Sequence, residues 1–144
     1  MNVLIGFFMF SKLFFGTTQD DKYKIGQVWE YNTRKGEEKS TLTIVGVEKH
    51  KKLGVIVNIY VGGLSVKNPN ADNGFSDEIQ HLPFSKEAMD KSVIKLLGTS
   101  PKLPKYKEGY NAWRSAFDRG EAGIFTITVK ESIDVMEKTL SQGK

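Results

Sequence analysis

Apolar and polar positions alternate through the first half of the chain and recur at helical spacing through the second. Within residues 25–33, Ile25, Trp29 and Tyr31 share one face and Glu30 and Asn32 the other, the period of two that marks a strand. Residues 41–47, rich in β-branched side chains, predict a second strand. Residues 53–61 predict a third, with Val55, Val57, Ile59 and Val61 on one face. Turns fall between them at Lys35, Gly36, Glu37 and Glu38 and at His50, Lys51 and Lys52. The Gly62-Gly63 pair predicts a hairpin or bulge, after which residues 64–67 return as a short strand. Residues 68–76 are loaded with turn formers and read as a loop. Residues 77–82 give one more extended piece, ended by Pro83. Turns this short predict an antiparallel meander, since parallel strands need long crossovers.

The period then changes. Ser85 is placed as an N-cap, with Glu87 in the first turn and Phe84 set to staple onto Met89. Met89, Val93 and Leu96 recur at helical spacing, and Gly98 closes that helix. Pro101 and Pro104 bracket a lysine-bearing linker. Residues 107–119 predict a second helix with Tyr110, Trp113 and Phe117 on one face. Residues 123–128 look like a strand. Thr128 and Glu131 form a capping box for a last helix, whose buried stripe is Val129, Ile133, Met136 and Leu140. The expected fold is α+β, an antiparallel sheet of four to six strands with about three helices, mostly C-terminal, packed on it.

A chain of 144 residues is one domain in expectation. Residues 20–144 form that domain, and residues 1–19 are a separate apolar lead. Residues 3–15 carry Phe7, Phe8, Phe10, Phe14 and Phe15 and one charge, Lys12. A membrane-spanning helix needs about 20 apolar residues, so this run is too short. A secretory signal needs a positive segment before its apolar run, and none is present. The expectation is a retained segment in a soluble cytoplasmic protein, touching the domain, a partner or a membrane periphery. Two alternatives stand beside it: export, with residues 1–18 as a signal, and a natural start at Met9.

Composition removes several chemistries. There is no cysteine, and His50 and His81 are the only histidines. Thiolate nucleophiles, zinc-thiolate sites and disulfides are excluded, and His-pair metal sites nearly so. No metal and no cofactor is expected. The net charge is +4, and arginine appears only at Arg34, Arg114 and Arg119. Nucleic-acid readers concentrate arginine, whereas scattered lysines make a solubilising surface. The nucleic-acid signal is therefore weak, and rests on Lys102, Lys105 and Lys107 with Tyr106.

Among polar residues His81 stands out, at a strand exit two residues before Pro83. With Glu78 or Glu87 it is a candidate general base. The plainer expectation is a ring packed beside Leu82 and bonded to backbone. His50 is expected to be solvated. Tyr110, Trp113 and Arg114 are candidates for an aromatic binding platform, although aromatics at this spacing ordinarily form a core face. Arg34 with Glu37 and Glu38 reads as a surface ion pair worth about 0–1 kcal/mol. Gly62-Gly63 lacks the remainder of a phosphate loop. Asp72, Asn73, Gly74 and Asp77 lack a calcium-loop register.

The runs Gly26-Gln27-Val28-Trp29-Glu30-Tyr31, Ser40-Thr41-Leu42-Thr43-Ile44 and His81-Leu82-Pro83-Phe84-Ser85, with Gly36-Glu37-Glu38 and Gly109-Tyr110…Trp113, resemble a group of small bacterial proteins without an established activity. The resemblance implies a bacterial origin and a body that folds without the apolar lead. It implies no catalytic residue. The functional expectation is a non-enzymatic binding or accessory protein acting through a protein partner, engaged through the apolar lead or the loop of residues 68–76, in the manner of an immunity or inhibitor protein. A small hydrolase or lyase using His81, and a lysine-based nucleic-acid binder, are the alternatives.

Overall fold

A computed structural model of the chain describes residues 22–142; the apolar lead lies outside them. Five strands form one antiparallel sheet: β1 (Gln27–Tyr31), β2 (Thr41–His50), β3 (Gly54–Lys67), β4 (Phe75–Ser85) and β5 (Val93–Thr99), in the order β4-β3-β2-β1-β5. Helix α1 (Lys86–Ser92) lies between β4 and β5, and α2 (Lys107–Asp118) and α3 (Val129–Gln142) follow. The α+β class, the antiparallel sheet and the three mostly C-terminal helices match expectation.

Alternation places one buried apolar row on each of β1 to β4. Trp29 pairs with Leu42, Leu42 with Val61, Ile44 with Ile59, Ile59 with Leu82, and Val57 with Phe84. These rows, with Ala88 and Met89 of α1 and Val129 and Ile133 of α3, make a single core. Each such side chain contributes about 1.5–3 kcal/mol by leaving water. The intervening residues Glu48, Asn58 and His81 fall on the opposite face, because strand side chains alternate. There α2 covers them, with Tyr110 and Trp113 against the His81 ring.

Four local expectations are corrected. First, the Gly62-Gly63 pair makes the bulge and not the hairpin: β3 continues through it, and its register with β4 shifts between Gly62 and Val66. A Cβ on Gly63, at φ +72°, would lie 3.0 Å from the Ser40 Cα, so glycine here permits a close backbone approach. Second, Pro83 does not end β4. Its carbonyl faces outward and accepts the Phe125 N–H at 2.9 Å, so its missing donor lies on the free side of an edge strand. Third, the helix opened at Ser85 stops at Ser92. Val93 is extended, at φ −77° and ψ 149°, and β5 pairs with β1 while the Asn32 N–H takes the Ser92 carbonyl at 2.9 Å. The open edge of β1 outcompetes a helical continuation through β-branched Val93 and Ile94. Fourth, residues 123–128 contribute only the bridge between Phe84 and Phe125.

Both helix starts form as read. Thr128 and Glu131 exchange capping bonds of 2.9 and 3.2 Å. Ser85 Oγ accepts the Ala88 N–H at 3.1 Å in a buried position. Ser85→Ala should therefore lower stability by about 1 kcal/mol, read as a fall in the urea midpoint at unchanged slope; an unchanged midpoint would show the cap to be idle.

Candidate functional site

The polar cluster with most chemistry lies between the sheet and α2. Gly109 permits its assembly: a Cβ there would sit 3.2 Å from Gln80 Cβ and 3.3 Å from His81 Cβ. Its N–H donates to Gln80 Oε1 at 3.1 Å. With α2 seated this closely, Tyr110 stands perpendicular to the His81 ring at 5.3 Å and Trp113 lies 5.2 Å from it. Trp113 stacks on Phe117 at 4.7 Å. Arg114 lies 5.4 Å from each of these two rings.

Beneath the rings runs a chain of hydrogen bonds. Asn58 Nδ2 donates to Glu48 Oε2 at 2.8 Å, and the Tyr110 hydroxyl donates to the same oxygen at 3.0 Å. Arg114 Nη1 donates to Glu48 Oε1. The Asn58 amide is thus oriented by Glu48, and its Oδ1 meets His81 Nε2 at 2.7 Å. An amide oxygen only accepts, so Nε2 carries the proton. Burial drives the His81 pKa down to about 4, against a partial opposing pull from the Glu48 charge. At neutral pH the ring is an uncharged donor whose N–H is already engaged.

The candidates named from sequence are divided by this geometry. His81, Tyr110, Trp113 and Arg114 come together. Glu78 and Glu87 do not join them: Glu78 is exposed and accepts the Tyr60 hydroxyl at 2.7 Å, and Glu87 is exposed on α1. The carboxylate whose charge reaches His81 is Glu48, which sequence reasoning missed together with Asn58. The available signal was that both are polar positions in otherwise apolar alternating strands. The His81 bond goes to a side chain, not to backbone as expected. His50 is not simply solvated either: its Nδ1 accepts the N–H groups of Lys52 and Leu53, each at 3.1 Å, and its ring meets Phe117 edge-on. Among the described residues no group of three His, Asp or Glu side chains is placed to hold a metal ion.

Two further surfaces are notable. A hollow of about 570 Å³ opens where the chain enters α2, lined by Gln80 and residues 103–108. On the other side of the molecule, β5 is the outermost strand beyond β1. It leaves Ile94, Leu96 and Leu97 exposed by 54%, 45% and 50%. Gly98 and Leu96 pair with adjacent residues of β1, as do Lys95 and Val93, so Leu97 and Ile94 are the extra residues of two bulges. Among the described residues no helix is long and apolar enough to cross a membrane. No protein-family model, curated protein or solved structure matches the chain.

Proposed function

We propose that this protein is a non-enzymatic binding protein that acts through a protein partner docked on β5, a role of the immunity or inhibitor type. The observation that carries this reading is the exposure of Ile94, Leu96 and Leu97 on one seven-residue strand. Single exposed apolar residues are ordinary, whereas several large apolar residues exposed together on one edge strand favour an interaction surface. The two bulges interrupt the backbone ladder on this edge, which blunts open-ended strand pairing between copies. Affinity then comes from burying side chains. Covering the exposed halves of three large aliphatic groups is worth about 3 kcal/mol. Lys95 is the one charge on the strand, so the fitting partner presents an apolar surface with an acidic rim.

The test uses the full chain. A partner recovered from the host is purified and titrated against wild type and against the Leu97→Glu and Leu96→Glu variants. The expected result is at least a tenfold loss of affinity, since a buried unpaired carboxylate costs several kcal/mol, with the urea midpoint held. A partner that binds all three proteins equally removes β5 from the interface and sinks the reading.

A further inference from the structure

We propose that the hollow at the start of α2 is a binding site for a small organic monoanion with an apolar body. The site lies apart from β5 and is independent of the partner reading. Its volume, about 570 Å³, falls in the range of small-molecule pockets, about 300–1,000 Å³. Leu103, Pro104 and Tyr106 are half-buried and give it apolar walls. Tyr106 is held edge-on against Tyr110, with ring centroids 6.3 Å apart. Gln80 lends its Oε1 to the Gly109 N–H, which fixes the amide and leaves its N–H₂ group uncommitted as a donor.

The charges on the lining specify the ligand's sign. Lys105 and Lys107 both line the hollow, and among the described residues neither side chain has a hydrogen bond or ion pair. Exposed lysines are often unpaired. These two differ in flanking an apolar recess, where an anionic group on an apolar body is complementary in both respects. Glu108 lines the same hollow. Two lysines against one glutamate leave a single positive charge, which suits a carboxylate or sulfonate and disfavours a doubly charged phosphate.

The test is a titration of the full chain, followed by backbone amide NMR, with three probes: 2-naphthoate, its neutral amide 2-naphthamide, and inorganic phosphate. The expected result is saturable binding of 2-naphthoate, with shifts centred on Gln80 and residues 103–108. The neutral amide and phosphate should each bind about tenfold more weakly or not at all, since a charge-assisted contact and the apolar body are both required. A Lys105→Ala/Lys107→Ala double variant, altered only at exposed positions, should lose about fivefold or more in 2-naphthoate affinity, and added salt should weaken the wild-type complex. Absence of saturation, shifts centred on β5, equal affinity for 2-naphthamide, or tighter binding of phosphate would each overturn the proposal.

Discussion

Replacing Arg34 by alanine is expected to cost about 3–5 kcal/mol, the usual result of leaving one member of a buried ion pair alone. The Arg34 side chain is 13% exposed and that of Glu37 only 3%. The guanidinium grips Glu37 as a fork, Nε to Oε1 and Nη2 to Oε2, both at 2.8 Å. Its Nη1 reaches α3, donating to Asp134 at 3.0 Å and Glu137 at 3.1 Å. The carboxylates have a second task. The β2 pairing of β3 reaches Gly62 opposite Thr41 and goes no further. Beyond it, the Ser65 N–H is taken by Glu37 at 2.8 Å and the Lys67 N–H by Glu137 at 2.7 Å. Arg34 therefore pairs with both acids that complete the end of β3, and ties α3 to the sheet through them. A cycle of Arg34→Ala, Glu37→Gln and the double variant, read by urea unfolding at neutral pH, should show the double change costing less than the sum of the singles. A loss under about 1 kcal/mol for Arg34→Ala would return the pair to the class of surface contacts.

The same cluster predicts an acid limit. Burial pushes Glu37 up, but the Arg34 fork and the Ser65 N–H outweigh it and leave the carboxyl below its ordinary value. For Glu137 the Lys67 N–H lowers the value, burial opposes, and Arg34 lowers it further. A depressed carboxylate contributes its stability above the unfolded-state value and loses it as pH falls through the folded one.

The sequence made the core face legible wherever apolar residues kept the strand period, as at Val55, Val57, Ile59 and Val61. It also made both helix starts legible, because Ser85 and Thr128 act on atoms three residues away. The Arg34 network was not legible. A spacing of three between Arg34 and Glu37 says nothing of Asp134 and Glu137, a hundred residues further on, closing over them. The end of α1 was hidden for a related reason. Met89, Val93 and Leu96 fit a helix, and only the vacant edge of β1, a tertiary fact, converts the later two into strand. At the candidate site His81 could be singled out as polar in apolar surroundings. Its orientation by Asn58, 23 residues away, depends on a β3–β4 register that no local pattern encodes.

That orientation makes His81 a determinant of stability in mild acid. The folded-state value is about 4, against 6.5 for a free imidazole. Above about pH 6.5 both folded and unfolded chains hold the ring neutral, so the contribution of burial is intact. As pH falls from there, the unfolded chain takes up the proton and the folded chain does not. Stability should decline by up to about 1.4 kcal/mol per pH unit, reaching a loss of about 3 kcal/mol near pH 4. Glu48 limits the fall only in part, because its charge is shared with Arg114, Tyr110 and Asn58. Most of the window lies above that of the depressed carboxylates, so the two can be separated by urea unfolding in steps from pH 7.5 to pH 4.5. His81→Gln keeps an N–H donor for Asn58 but cannot titrate, and should flatten the upper part of the profile while leaving the carboxylate part. The NMR titration of the His81 ring supplies the direct check: a midpoint near 6.5 in the folded protein would mean that the ring is reached by water, and that neither Asn58 nor the α2 aromatics hold it neutral.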